Sequence, residues 1–162
     1  MQSLLQRGGM GLLLMGVVPL ALPAQAPVGA RAPVVEVTDL DGTLVKLPAG
    51  RPALIEFWAT WCEVCEQLFP RVLAAKKAYG DRVDFYGVNV TVNESKSRVK
   101  RWVAEHAPPF RVLYDERGLA VRAYGAPATS YVVIVDAKGM VRYTGSGGAQ
   151  ALSAELAKVV GP

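Results

Sequence analysis

Apolar positions along residues 34–160 recur in two rhythms, one of strands and one of helices. Short β-type runs at Val34–Val37 and Leu44–Leu47 flank Asp41-Gly42, which predicts a hairpin. After the break Pro48-Ala49-Gly50-Arg51-Pro52, the run Ala53–Trp58 is apolar except for Glu56. A run of this kind predicts a central strand covered on both faces. Val64, Leu68, Val72, Leu73 and Ala75 then fall at helical spacing, giving a helix over Cys65–Tyr79 that Pro70 should kink and Tyr79-Gly80-Asp81 should end. Val83–Val90 reads as the next strand. Ser95–His106 reads as a helix capped by Asn93, with Val99, Trp102 and Val103 on one face and Pro108-Pro109 as its stop. Phe110–Leu113 reads as a short strand or extended segment and Leu119–Tyr124 as a short helix. Tyr131–Val135 and Met140–Thr144 form an antiparallel hairpin about Ala137-Lys138-Gly139. Gly145-Ser146-Gly147-Gly148 reads as a flexible hinge, and Ala151–Val160 as a last amphipathic helix. This order predicts one α/β domain over residues 34–162, with a mixed central sheet flanked by helices and an N-terminal β-hairpin extension.

The segment before this pattern obeys different rules. In residues 1–26 the only charge is Arg7, and the apolar run Gly11–Leu22 is broken by Gly16 and Pro19. It falls short of the about 20 residues a membrane span needs. Ala24-Gln25-Ala26 fits a small-x-small cleavage site, so residues 1–26 read as a secretory signal. Val28-Gly29-Ala30 is a second candidate site, and an uncleaved N-terminal anchor is the alternative. Residues 27–33, with Pro27, Gly29 and Pro33, read as a linker. Export would place the chain in an oxidising compartment. The net charge of +4 comes from 18 basic and 14 acidic residues that alternate along the chain, a solvated surface rather than a nucleic-acid footprint.

The candidate chemistry lies in Phe57-Trp58-Ala59-Thr60-Trp61-Cys62-Glu63-Val64-Cys65, which holds the only two cysteines. A thiol at a helix start meets unpaired backbone N–H groups and the positive end of the helix dipole. Cys62 is therefore expected to be the more acidic and exposed of the two, and Cys65, one turn on, is placed to attack a mixed disulfide formed on Cys62. A closed zinc site needs about four ligands, and two cysteines with the distant His106 do not supply them. A purely structural bridge is the other alternative, although so short a loop constrains the unfolded chain little. His106, near a helix end, reads as structural, Trp58 and Trp102 as core, and Trp61 as a border of the contact surface. Gly145–Gly148 lacks the strand before it and the Lys-Ser/Thr after it that a phosphate loop requires.

Taken together, Phe57–Cys65, the Asp41-Gly42 hairpin, Val88-Asn89-Val90, Leu113-Tyr114-Asp115, and Tyr124-Gly125 leading to Val135-Asp136 and Gly139 resemble the thioredoxin superfamily. The likeness is closest to its exported TlpA/ResA-like branch and covers about residues 33–160. It implies a thioredoxin-like fold with a four- or five-stranded sheet. It also implies thiol–disulfide exchange with proteins bearing disulfides, without a cofactor beyond the Cys62–Cys65 couple itself, and re-reduction by a membrane thiol-electron donor. Members of the branch often reduce apocytochrome c cysteines. Three departures from the family pattern shape the expectation. Glu63 beside Cys62 should destabilise the thiolate, and the strong oxidants of this fold owe their potential to a stabilised reduced form, so a reductant is expected. The family's cis-proline has no counterpart in register: Thr129-Ser130 falls at that place and Pro127 comes three residues early, so either Pro127 takes the role in a remodelled loop or the cis-proline is missing, with a trans bond expected before Ser130. Thr129, Ser130, Pro127 and Trp61 are the candidate substrate-binding residues. Glu56 occupies the place of the buried acid in thioredoxin, where burial should raise its pKa and let it take the Cys65 proton; a bridging glutamate paired with Lys or Arg is the alternative. Glu94 follows an insertion at Thr91-Val92 and reads more readily as a solvated loop acid than as an acid near the site. An oxidase or isomerase, and a metallochaperone using the dithiol as ligand, remain the alternative functions.

Overall fold

The computed structural model describes residues 26–161. The signal or anchor reading of residues 1–26 lies outside them but for Ala26. Eleven elements follow in the order β1(Val35–Asp39), β2(Leu44–Leu47), β3(Ala53–Trp58), α1(Glu63–Tyr79), β4(Asp84–Asn89), α2(Lys96–His106), β5(Arg111–Tyr114), α3(Leu119–Tyr124), β6(Tyr131–Val135), β7(Val141–Ser146) and α4(Leu152–Val160). The strands form one mixed seven-stranded sheet in the order β2-β1-β5-β4-β3-β6-β7.

β3 lies between β4, parallel to it, and β6, antiparallel to it, and all six of its residues are buried. The apolar run is continuous because both faces are covered. Alternation along the strand sorts its side chains. Leu54 and Trp58 join Leu68 and Val72 of α1, Val99 of α2, and Leu152 and Leu156 of α4 in one core. Ala53, Ile55 and Phe57 join Ala120 and Tyr124 of α3, with Val37, Val45 and Leu47 of the first hairpin, in the other. Gly87, the parallel neighbour of Glu56, lies beneath the Phe110 ring, and a methyl group there would overlap it.

The sheet is wider than the four or five strands implied by the resemblance. The hairpin β1–β2 adds to the free edge of β5 through Thr38↔Tyr114 and Asp39↔Leu113, and Asp39 takes an ion pair from Arg111. Residues 27–33, read as a linker, run along β7: the Gly29 N–H donates to the Val141 carbonyl, and the Ala32 N–H to the Gly139 carbonyl. The Ala26 N–H donates to the Tyr124 carbonyl. Helix α2 is capped by Ser95, whose Oγ accepts the Arg98 N–H, and not by Asn93. Asn93 instead takes a left-handed backbone, φ 56°. The predicted hinge at Gly145 is strand as far as Ser146. His106 is structural, its ring stacked on Trp102 at 4.3 Å between centroids.

Candidate active site

β3 ends at Trp58, and the chain turns through Ala59–Trp61 into α1 at the C-terminal edge of the sheet. Cys62 is the N-cap of α1: its backbone is extended, and its Sγ accepts the Cys65 N–H at 3.1 Å. The two sulfurs are joined as a disulfide with Cα atoms 5.3 Å apart. Cys65 is fully buried and Cys62 is 5 % exposed, so the expected order of access holds but only a sliver of Cys62 reaches solvent. Exposed apolar side chains stand near it, alongside the exposed Glu63. Trp61 is 44 %, Val64 43 % and Val92 55 % exposed. Trp61 is exposed, and its indole N–H donates to the Val92 carbonyl at 2.9 Å. Trp58 is core, packed against Trp102, Phe110 and Phe69. Glu63 and Glu66 stand in the first turn of α1.

Glu56 is fully buried on the same sheet face as Leu54 and Trp58, the face that also holds both cysteines. Neither carboxyl oxygen has a hydrogen-bond partner among the described residues, so the bridging alternative with Lys or Arg does not hold. Burial alone pushes its pKa up to about 8.

Glu94 departs from the solvated-loop reading. It is half-buried, and its Oε1 accepts the Thr60 N–H at 2.9 Å together with the Thr60 hydroxyl, while Oε2 accepts the Asn89 side-chain amide. The insertion explains the change: left-handed residues at Thr91 and Asn93 fold the β4–α2 loop back onto the turn that carries the cysteines. Asn89 was legible as a polar residue on a covered strand, but nothing in the sequence paired it with Glu94.

The segment before β6 carries the other candidates. Pro127 is exposed and its preceding bond is trans; among the described residues the only cis bond is Leu47–Pro48. Pro127 does not take over the missing cis-proline. Thr129 is half-buried. Ser130 is buried, its preceding bond is trans as expected, and its backbone is left-handed at φ 60°. The Ser130 N–H donates to the Phe57 carbonyl at 2.7 Å, which holds the segment at the end of β3 from which the cysteine turn departs. A proline there could neither make that bond nor adopt that φ. Gln150, which the sequence did not mark, is buried and donates to the Ser130 and Gly147 carbonyls. Groups of three or more His, Cys, Asp or Glu arranged for a metal are absent among the described residues.

The comparisons with known proteins meet this geometry. The family model described as Redoxin matches residues 27–159. The chain is 30 % identical over 117 residues to the thioredoxin-like protein YneN of Bacillus subtilis, covering 70 % of this chain and 68 % of that one. It is 29 % identical over 119 residues to the thiol-disulfide oxidoreductase ResA of Bacillus thuringiensis, covering 70 % and 66 %. It thus spans about two thirds of the length of these relatives. Among solved structures, a secreted Mycobacterium tuberculosis disulfide oxidoreductase homologous to E. coli DsbE superimposes with a TM-score of 0.65 at 23 % identity, covering 76 % of this chain and 95 % of that one. At that identity the likeness shows the thioredoxin-like fold.

Proposed function

The chain belongs to the Redoxin family, and from that premise we propose that it is a thiol–disulfide oxidoreductase of the ResA/DsbE type working outside the cytoplasm as a reductant of protein disulfides. One observation carries the reading: a disulfide at the N-cap of α1 whose first sulfur alone retains access to solvent. A bridge there for stability alone would need no rim of exposed Trp61, Val64 and Val92 beside it.

In the reduced protein, the Cys62 thiolate attacks one sulfur of a substrate disulfide. A Cys62–substrate bond forms and the substrate S–S bond breaks, releasing one substrate thiolate that takes a proton. Cys65 then gives up its proton and attacks Cys62, closing the Cys62–Cys65 bond and expelling the second substrate thiol. Two electrons pass from the protein dithiol to the substrate. Burial of Cys65 reserves this second step for the attached substrate. Glu56, on the same core face, is the base for the Cys65 proton; a carboxyl with a pKa near 8 binds and releases a proton close to neutrality. Trp61 and Thr129 border the substrate, Thr129 held in place by the buried Ser130 next to it. A membrane thiol donor restores the dithiol, and apocytochrome c cysteines are one substrate class of the right chemistry. The apolar N-terminal segment supports export.

The reducing direction rests on Glu63 and Glu66 in the first turn of α1, whose carboxylates oppose a thiolate at Cys62. Cys65→Ser should accumulate covalent partners on Cys62 in the exporting cell, released by a small thiol, whereas Cys62→Ser should capture none. A redox titration should give an equilibrium potential well below that of the strongest oxidants of this fold, about −120 mV. A value close to that limit would favour the oxidase.

A further inference from the structure

The glycine-rich stretch Gly145–Gly148 has the composition of a hinge, but the structure pins it at Gly147 and Gly148. The Gly147 N–H donates to the Ser130 carbonyl at 3.2 Å. The Gly148 carbonyl accepts from Arg71 Nε on α1 at 3.1 Å. A Cβ on Gly148 would stand 2.9 Å from the Cβ of Gln67 and 3.3 Å from the carbonyl oxygen of Val64, the residue between Glu63 and Cys65. The stretch is therefore a strap. One end lies against the helical turn that carries the disulfide, and the other holds the Thr129-Ser130 segment.

Gln150 closes this strap. Its Nε2 donates to the Gly147 carbonyl at 2.8 Å and to the Ser130 carbonyl at 3.1 Å. Its Oε1 accepts the Tyr143 hydroxyl at 3.1 Å, which fixes the amide with its donors toward the two carbonyls. Gly145 leaves the room for this pair, because a Cβ there would stand 2.9 Å from the Gln150 oxygen. Ser130 needs such a hold: a left-handed backbone at a non-glycine residue is disfavoured and persists only where the surroundings enforce it. Phe57 holds its N–H, and Gly147 and Gln150 hold its carbonyl.

We propose that Gln150 is a positioning residue for the reaction with polypeptide disulfides: through the glycine strap it sets Thr129-Ser130 as the shelf on which the disulfide-bearing substrate segment lies beside Cys62. The proposal rests on the protein-disulfide reaction above. A small disulfide needs only the sulfur of Cys62, whereas a polypeptide also needs the shelf. Misplacing a shelf slows only the substrates that use it.

The test compares the dithiol-reduced protein with two oxidants, a disulfide-bridged peptide and a small aromatic disulfide. Gln150→Met keeps the length of the side chain and removes its hydrogen bonds; Tyr143→Phe keeps the glutamine and frees its amide to turn. Gln150→Met should lower the second-order rate with the peptide about tenfold relative to the rate with the small disulfide. Tyr143→Phe should lower the same ratio by a smaller factor, and carries the test if the first variant does not fold. Hydrogen exchange at the Gly147 amide should quicken in both. An unchanged ratio, whether both rates fall together or neither falls, overturns the positioning role. Wild-type protein that reduces the small disulfide but not the peptide refutes the protein-disulfide reading itself, and the shelf with it.

Discussion

Glu56 sits in the middle of a covered strand with both carboxyl oxygens unpartnered. Such a group is costly to bury in its charged form, and the protein answers by holding its proton up to about pH 8. Packing alone would be served better by an apolar side chain of similar volume, so the carboxyl is a functional candidate in the sense that perturbed groups gather at sites. Glu56→Gln preserves the shape and removes the proton acceptor. Resolution of a preformed mixed disulfide on Cys62 should then slow by roughly a hundredfold, the usual minimum for losing a general base. Rapid-mixing measurement of substrate thiol release decides it: a rate equal to wild type removes Glu56 from the mechanism. The sequence exposed this residue plainly, because it is the single polar position in Ala53–Trp58. By contrast, no local signal marked Gln150, whose partners lie on Ser130, Gly147 and Tyr143 and become neighbours only when β6, β7 and the start of α4 converge.

At the scale of elements, periodicity placed all seven strands and four helices, since each strand or helix buries an apolar face that the sequence must write out. What it misjudged were the joints. Asn93 has the composition of a cap, yet the loop after β4 turns left-handed at Thr91 and Asn93 and passes the capping role to Ser95. Gly145 has the composition of a break, yet β6 pairs with β7 as far as Tyr131↔Ser146. Glu94 was misread for the same reason: its partners Thr60 and Asn89 belong to other elements. This carboxylate ties the β4–α2 loop to the cysteine turn, and the Trp61 indole makes a second tie at Val92. Glu94→Ala should therefore lower stability by about 2 kcal/mol, the worth of hydrogen bonds to a charged group. It should also loosen Trp61, seen as a red shift of its emission in a protein with Trp58 and Trp102 unchanged. Denaturant unfolding measures the first effect, and a loss under about half a kcal/mol would mean that the contacts are incidental. Glu63 acts at the same scale, as a charge at the start of α1. Glu63→Gln should raise the thiolate fraction of Cys62 at a given pH, followed by ultraviolet thiolate absorbance, and should make the couple more oxidising.

For the whole molecule, these ionisations combine into an unusual dependence of stability on pH. Glu56 in the folded chain has a pKa raised from 4.5 to about 8 by burial. The folded state thus binds its proton more tightly than the unfolded chain, and stability is lost as pH rises through that interval. The full loss is on the order of 5 kcal/mol, of which roughly 3 kcal/mol has gone by neutral pH. Two aspartates act with the opposite sign. The Arg111 guanidinium, with the Thr43 and Asp41 N–H groups, holds Asp39 below the ordinary 3.8. Partial burial raises Asp136, but the Met140 N–H, Arg142 and the Lys138 N–H outweigh it and bring it below 3.8. A lowered carboxyl pKa contributes stability above the unfolded value that is lost as pH falls through the folded one. Asp39 anchors the β1–β2 hairpin and Asp136 the β6–β7 turn, so acid should loosen both ends of the sheet. Between these limits the stability of the disulfide form should peak near pH 4 to 5, on the acid side of the usual maximum. Denaturant unfolding across pH 3 to 9 reads this curve directly. In Glu56→Gln the alkaline fall should flatten, and the variant should exceed wild type at pH 7 by up to about 3 kcal/mol, less whatever the buried amide costs. A wild-type curve that stays level from pH 5 to 8 would mean that Glu56 ionises as readily folded as unfolded, leaving the second step only a weak base poorly matched to a thiol proton near neutrality.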